Sequence, residues 1–219
     1  MAIREVVIDD TCVTIHECDD LGDPITGRAI TGSWLWDSAL CLSEWISEVV
    51  ANNQVRISGA TVLELGAGTG LPGLFAATSG ASHVILTDVG SLVPNLCANV
   101  GANGLEDLVQ VMELKWGEDA SMLGQVDVLL LSDLFYDPEE MPALAKTMHS
   151  VWAEGTRGYA ASEVRDGVDE CLKVLQQEGF ESHEVTLMTR PLNRDSVETA
   201  LFAVYVISRL SYTGLDSEN

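Results

Sequence analysis

Two groups of residues in this chain have types and spacings that could do chemistry. Gly66, Gly68 and Gly70 alternate after Glu64, and Asp133 and Tyr136 follow an apolar run. The glycines lie in residues 62–73, which read as a short buried strand, a glycine-rich turn and the start of a helix. Without Cβ atoms at alternate positions, the backbone can turn tightly and approach a ligand closely. Pro72 fits the first turn of that helix, where its missing N–H is not needed. A plain strand-to-helix turn needs one glycine, so three point to a cradle for a nucleotide-type cofactor. Asp88, twenty residues beyond Gly68, ends the next strand candidate. A carboxylate there can accept both hydroxyls of a ribose. Trp116-Gly117 follows the third strand candidate, where an indole can cover the face of a base and the glycine leaves room for its edge.

The glycine stretch supports two readings of the nucleotide. Residues 68–73 satisfy G-x-G-x-x-G, the dinucleotide pattern, with Asp88 at the ribose spacing. The longer pattern E-x-G-x-G-x-G, from Glu64 to Gly70, resembles the first motif of seven-strand S-adenosylmethionine (AdoMet) methyltransferases. A dinucleotide places its pyrophosphate at the helix N-terminus, favoured by the helix dipole. AdoMet has no phosphate, and acidic side chains can face its ammonium and sulfonium. Glu64 suits such a cationic ligand better than a pyrophosphate. An NAD-dependent reductase is further disfavoured because none of Tyr136, Tyr159, Tyr205 and Tyr212 starts a Tyr-x-x-x-Lys pair.

The elements that would position these residues follow from periodicity. Residues 5–8 and 12–15 read as a hairpin across Asp9-Asp10, and residues 19–31 as a polar lead-in. From 34 to 50 the apolar residues Leu35, Ala39, Leu42, Ile46 and Val49 form one helical stripe, ended by Asn52-Asn53. Strand candidates then fall at 61–65, 83–87, 108–114, 126–132, 158–163, 180–187 and 200–209. Helical stretches fall at 71–79, 92–102, 138–151 and 167–177. Residues 128–131 are apolar on both faces, as a central parallel strand covered by helices requires. The link at 188–197 has no room for a crossover helix, so the last two strands are expected to pair antiparallel. The expected fold is α/β, a three-layer, doubly wound, seven-stranded sheet with an antiparallel last strand, preceded by a hairpin and a helix. One domain is expected over residues 1–212, with 1–53 as hairpin and helix, 54–212 as core, and 213–219 as a disordered tail.

Composition narrows the partners. Eleven Lys and Arg stand against 34 Asp and Glu, a formal net charge of −23. Such a surface repels phosphate backbones, which disfavours nucleic acid, and complements a cationic protein. Cysteines 12, 18, 41, 97 and 171 and histidines 16, 83, 149 and 183 are scattered, with no C-x-x-C spacing. Neither a disulfide framework nor a metal site is expected. The first ten residues lack a signal pattern and no apolar run reaches membrane-spanning length. A monomeric cytoplasmic protein with no membrane partner is expected, with the nucleus as an alternative second location.

Further motifs make the resemblance specific. Gly32-Ser33-Trp34-Leu35-Trp36-Asp37, the glycine motif, Thr87-Asp88, Asn99 and Asn103, Leu114-Lys115-Trp116-Gly117 and D-x-x-Y (Asp133 to Tyr136) occur in this order. The chain resembles family-16 methyltransferases, seven-strand enzymes that methylate lysines of chaperones and other non-histone proteins. The likeness covers residues 27–151 and implies a class I, Rossmann-like methyltransferase fold with AdoMet as cofactor. It implies AdoMet contacts from Trp36, Gly66, Ala67, Gly68, Asp88, Trp116 and Ser132, to which the residue reading adds Glu64. Ser132 departs from the alanine common at its position. The resemblance also implies that Asp133 and Tyr136 form the methyl-transfer site. Methyl transfer to an amine needs a neutral nitrogen aligned about 3–3.5 Å from the methyl carbon. A carboxylate can orient that amine, and a tyrosine can narrow the channel. Asp137, Glu139 and Glu140 read instead as helix-start residues. The leading expectation is an AdoMet-dependent methyltransferase that modifies a lysine of a protein presented in a basic context. Another side chain or a small molecule as acceptor, or a binding module on the same fold, are the alternatives.

Overall fold

The computed structural model describes residues 2–18, 31–191 and 198–210. Residues 19–30 of the expected lead-in, the end of the last inter-strand link and the C-terminal tail lie outside the described residues. In chain order the elements are β1 (Ala2–Ile8), β2 (Thr11–Glu17), α1 (Asp37–Ala51), β3 (Thr61–Leu65), α2 (Leu71–Thr78), β4 (His83–Asp88) and α3 (Val93–Ala102). They continue with β5 (Val109–Glu113), β6 (Val126–Ser132), α4 (Met141–Val151), β7 (Trp152–Glu163), α5 (Val168–Gln177), β8 (Phe180–Pro191) and β9 (Thr199–Arg209). β1 and β2 form the N-terminal hairpin, and the other seven strands form one sheet in the order β5-β4-β3-β6-β7-β9-β8. β9 runs antiparallel to both β7 and β8. This is the doubly wound sheet with antiparallel closure expected from the short final link.

Strand alternation divides the core into two layers. Val62, Val84, Leu86, Val128 and Leu130 face the layer that contains α1, α2 and the hairpin. Leu63, Leu65, Ile85, Leu129 and Leu131 face α4 and α5. Successive side chains on a strand point to opposite faces, so a central strand must be apolar at both parities. β6 meets that demand from Val128 to Leu131.

Several boundaries differ from the periodic reading, among them the end of β8, which runs to Pro191, and the start of α4, at Met141; two of the differences have identifiable reasons. The helix expected from residue 34 begins at Asp37, because Trp36 is extended (φ −82°, ψ 147°) and serves as its N-cap. β7 begins six residues before the expected 158, directly after α4. Its register against β6 shifts between Val126 and Val128, which accommodates the extra residues as an irregularity.

The hairpin is fastened to the sheet domain by asparagines of α3 and the residue that follows it. Asn99 Oδ1 accepts from the backbone N–H of His16 (2.7 Å), and Asn103 Oδ1 accepts from that of Thr14 (2.8 Å). Asn103 Nδ2 donates back to the Thr14 carbonyl (2.8 Å). These amides satisfy the open edge of β2 in place of a neighbouring strand. Asn99 Nδ2 also donates to the carbonyl of Thr69 inside the glycine turn (2.9 Å). A fully buried side chain thus ties the hairpin to the turn.

Asn99→Ala strands the His16 N–H and the Thr69 carbonyl. It is expected to lower the unfolding free energy by about 1–3 kcal/mol, the cost of unpaired buried polar groups. Urea unfolding measures this, and a change of only a few tenths would show that water replaces the amide at no cost.

Candidate functional site

The order of the sheet decides where a site can form. From β3 the chain moves outward through β4 and β5, then returns to place β6 on the other side of β3. The connections leaving β3 and β6 therefore diverge, and a crevice opens at their C-terminal ends. A cavity of about 570 Å³ lies there, within the range that holds a cofactor-sized ligand. Among the residues proposed from sequence, Trp36, Gly66, Ala67, Gly68, Asp88, Trp116, Ser132, Asp133 and Tyr136 all line it.

The glycine turn forms one wall. Gly66 and Gly68 both have φ +58°. A Cβ on Gly66 would stand 2.8 Å from Leu134 Cδ2 and 3.1 Å from Trp116 Cζ2, and one on Gly68 would stand 2.8 Å from the carbonyl oxygen of Gly32. Glycine is thus required twice, by backbone conformation and by space. Asp88 fastens the turn to the end of β4. Its Oδ2 accepts from the Gly68 N–H (2.7 Å) and its Oδ1 from the Val89 N–H (2.7 Å). Burial raises its pKa above the ordinary carboxylate value, and the two N–H donors counteract the rise. A carboxylate has about four acceptor positions, so each oxygen retains one for a ligand hydroxyl. The side chain is half-buried.

Glu64 sits elsewhere than expected. It is fully buried and does not line the cavity. Strand alternation turns it, with Val62, toward α2, where its Oε2 accepts from the Gly73 N–H (2.8 Å). It supports the start of the helix that follows the turn instead of facing a ligand. Its Oε1 has no hydrogen-bond partner among the described residues. Burial pushes its pKa up to about 8, against the lowering effect of the Gly73 bond and with a smaller upward push from Asp88.

Aromatic residues form the other walls. Trp36 donates its indole N–H to the Thr31 carbonyl (3.0 Å) and lies against Trp34, with ring centroids 6.3 Å apart. Trp116 and Tyr136 are similarly paired at 6.1 Å. The Tyr136 hydroxyl is pushed up to about 12, first by burial and then by the carboxylates of Glu140, Asp88, Asp137 and Asp133. It therefore remains a neutral hydroxyl through the physiological range.

Asp133 follows β6 with φ +57°, a left-handed conformation uncommon for any residue but glycine, asparagine and aspartate. Its N–H donates to the Ala161 carbonyl of β7 (2.9 Å). Its Oδ1 accepts from Ser38 Oγ at the start of α1 (3.2 Å) and pairs with Arg165 Nη2 (3.2 Å). Asp137 accepts from the Glu139 N–H (2.9 Å) and caps the short turn leading into α4, as its helix-start reading requires. Arg165 and Ser38 did not stand out in the sequence. Arg165 lies 32 residues from Asp133, and only the parallel pairing of β6 with β7 brings the two strand ends together. The Ser132↔Ala161 register is the signal that would have found Arg165.

Residues 25–177 match the family model described as lysine methyltransferase. The chain is 35% identical over 156 residues to protein N-lysine methyltransferase METTL21A of Danio rerio, covering 69% of each protein. It is 38% identical over 165 residues to protein-lysine N-methyltransferase EFM3 of Chaetomium thermophilum, covering 69% of this chain and 46% of that one. Among solved structures, magnesium protoporphyrin IX methyltransferase of Synechocystis with bound SAM superposes with a TM-score of 0.56 at 15% identity. That match covers 77% of this chain and 78% of the other. The ribosomal protein L11 methylase of Lactobacillus delbrueckii gives 0.52 at 16% identity, with 80% and 78% covered. At these identities the structural likeness speaks for the fold.

Glu64 gives stability a pH dependence whose sign is fixed. Its folded pKa, about 8, lies above the ordinary 4.5. The stability is fully present below 4.5 and is lost as pH rises toward 8, because the unfolded chain gives up a proton that the folded chain keeps. Glu64→Gln retains an oxygen for the Gly73 N–H and removes the titration. Its melting temperature is expected to fall less than that of the wild type between about pH 5 and pH 8. Parallel thermal melts check this; identical slopes would mean that Glu64 does not titrate over that range.

Proposed function

This chain belongs to the lysine methyltransferase family, and we propose that its cavity holds AdoMet on the glycine turn and presents the donor methyl to a protein lysine beside Asp133. The observation that carries this reading is the convergence, at the reversal point of the sheet, of a cradle without Cβ atoms, a carboxylate with spare acceptor positions and the Asp133–Tyr136 pair. The cavity's features suit the group. The turn permits close approach at Gly66, Ala67 and Gly68, Asp88 can take ribose hydroxyls, and Trp36 and Trp116 offer flat apolar faces. Bound AdoMet supplies an electrophilic methyl on a sulfonium. Everything else is positioning by the chain. Asp133 accepts a hydrogen bond from the acceptor amine and fixes its direction, Tyr136 narrows the approach with a neutral hydroxyl, and Ser132 keeps the wall small.

The acidic surface extends the reading to the partner. Asp137 and Glu140 act on Tyr136 and Glu163 pairs with Arg165, and the whole chain carries −23. A lysine set among other basic residues complements this field, whereas a phosphate backbone does not. The protein acts, on this reading, as a monomer in the cytoplasm and nucleus. Incubation with labelled AdoMet and a cell lysate, followed by identification of the labelled residue, tests the reading. Label on a residue other than lysine would refute it.

Asp88→Ala is expected to weaken AdoMet by about 1.5–3 kcal/mol, because hydrogen bonds to a charged group are lost. Calorimetric titration reads this directly, and an unchanged affinity would leave Asp88 as a clamp on Gly68 alone.

Asp133→Asn separates chemistry from cofactor binding. Asparagine tolerates the left-handed backbone and keeps one oxygen, so the fold is expected to stand. AdoMet affinity should stay within a few-fold, while single-turnover methylation falls on the order of a hundredfold, roughly 2.7 kcal/mol. A wild-type rate per folded molecule would remove Asp133 from the reaction.

A further inference from the structure

We propose that Arg165 is a positioning residue for methyl transfer: held against Asp133 and Glu163 at the acceptor end of the cavity, its guanidinium offsets the carboxylate charge there and favours the neutral amine of the incoming lysine. The proposal rests on the reading of Asp133 as the carboxylate that meets the acceptor.

A lysine ammonium has an ordinary pKa of about 10.4 and no lone pair with which to attack. A lone carboxylate beside it would stabilise the charged form and hold the proton more tightly, opposing the chemistry. A cation fixed to that carboxylate opposes this effect. Arg165 Nη2 stands 3.2 Å from Asp133 Oδ1, and Nη1 stands 3.6 Å from Glu163 Oε2. Ser38 donates to the same Oδ1. Oδ2 accepts from none of the described residues, so one oxygen is anchored and the other is available to an amine N–H. The pairing restrains the carboxylate and dilutes its charge together.

The surroundings are otherwise acidic. β4 contributes Asp88, and the segment after β6 contributes Asp133 and Tyr136, with Asp137 and Glu140 acting on the tyrosine. β7 contributes Glu163, and α1 presents the neutral Ser38. Arg165 is the one cationic side chain lining the cavity among the described residues. This field draws a basic segment in, and the guanidinium weakens the hold on the proton once the amine arrives. The ammonium releases its proton to water. The nitrogen lone pair then forms the N–C bond as the C–S pair returns to sulfur, leaving a neutral thioether and a methylated ammonium. Arg165 is one-third exposed (34%), so water moderates its effect.

The test compares wild type, Arg165→Gln, Arg165→Met and Arg165→Lys on the acceptor protein captured by the labelling experiment above and then purified. In the wild type the single-turnover rate rises with pH as the amine is released. In the Gln and Met variants this rise is expected to move to higher pH, on the order of one pH unit, while Lys restores it. A second readout needs no turnover. Calorimetry of acceptor binding to protein loaded with the demethylated cofactor, in buffers of different ionisation enthalpy at about pH 8, counts the protons released. Wild type and Arg165→Lys should release more than Gln or Met. Unshifted profiles and equal proton release, with transfer still occurring, overturn the role of Arg165 and leave that of Asp133 standing. If the wild type labels no lysine, the reading beneath it falls as well.

Discussion

The reversal of strand order at β3 is the constraint on which the rest of this molecule depends. Because β4 and β6 lie on opposite sides of β3, the chain segments leaving β3 and β6 must part company. The crevice between them is a consequence of connectivity rather than of any one side chain. Three strand ends deliver chemistry into it: β3 the glycine turn, β4 Asp88 and β6 Asp133. Each strand is held by apolar packing on both faces, so the positions of its terminal residues are set by the least deformable part of the fold.

That rigidity has to be transmitted through a turn that is itself rich in glycine. The structure achieves this with polar contacts at fixed points. Asp88 holds the N–H of Gly68, Glu64 holds that of Gly73, and Asn99 holds the carbonyl of Thr69. Asn99 spans two layers, because the same side chain also takes the edge of β2. The N-terminal hairpin is therefore part of the scaffold of the turn. The carbonyl of Gly32 lies close enough to Gly68 to exclude any side chain there.

Much of this was legible in the sequence because it follows from period and spacing. The strands at 61–65 and 126–132 stand as expected, and the short final link did enforce antiparallel closure. The glycines and Asp88 were legible because their constraints are local: a backbone that must turn, and a strand that must end. Glu64 was misread for a physical reason. Its motif position suggested a ligand contact, but strand parity directs it at α2, and parity is decided by which layer Val62 faces. Arg165 and Ser38 could not be found from local pattern. Their meeting with Asp133 depends on the β6–β7 register and on the approach of α1, which belong to the assembled sheet. The helix start at Asp37 was missed because the stripe of apolar residues continues through Leu35, although Trp36 is already extended.

Three carboxylates near one crevice thus end in three different states, and the difference is made by what each one can reach. Glu64 is sealed among apolar side chains with one backbone donor, which is too little to hold a charge, so burial dominates and its proton stays. Asp88 sits at the crevice wall with two backbone donors, which partly offset burial and direct its oxygens toward the cavity. Asp133 is also half-buried, and there a guanidinium reaches it from the segment that follows β7. In a chain with 34 acids and 11 bases, a fixed cation at that point is scarce. It stands against Asp133, at the end of β6. One fold thereby obtains a fully buried structural acid, a carboxylate that clamps the glycine turn and a carboxylate paired with a cation from the same side-chain chemistry, set apart by burial and by partner.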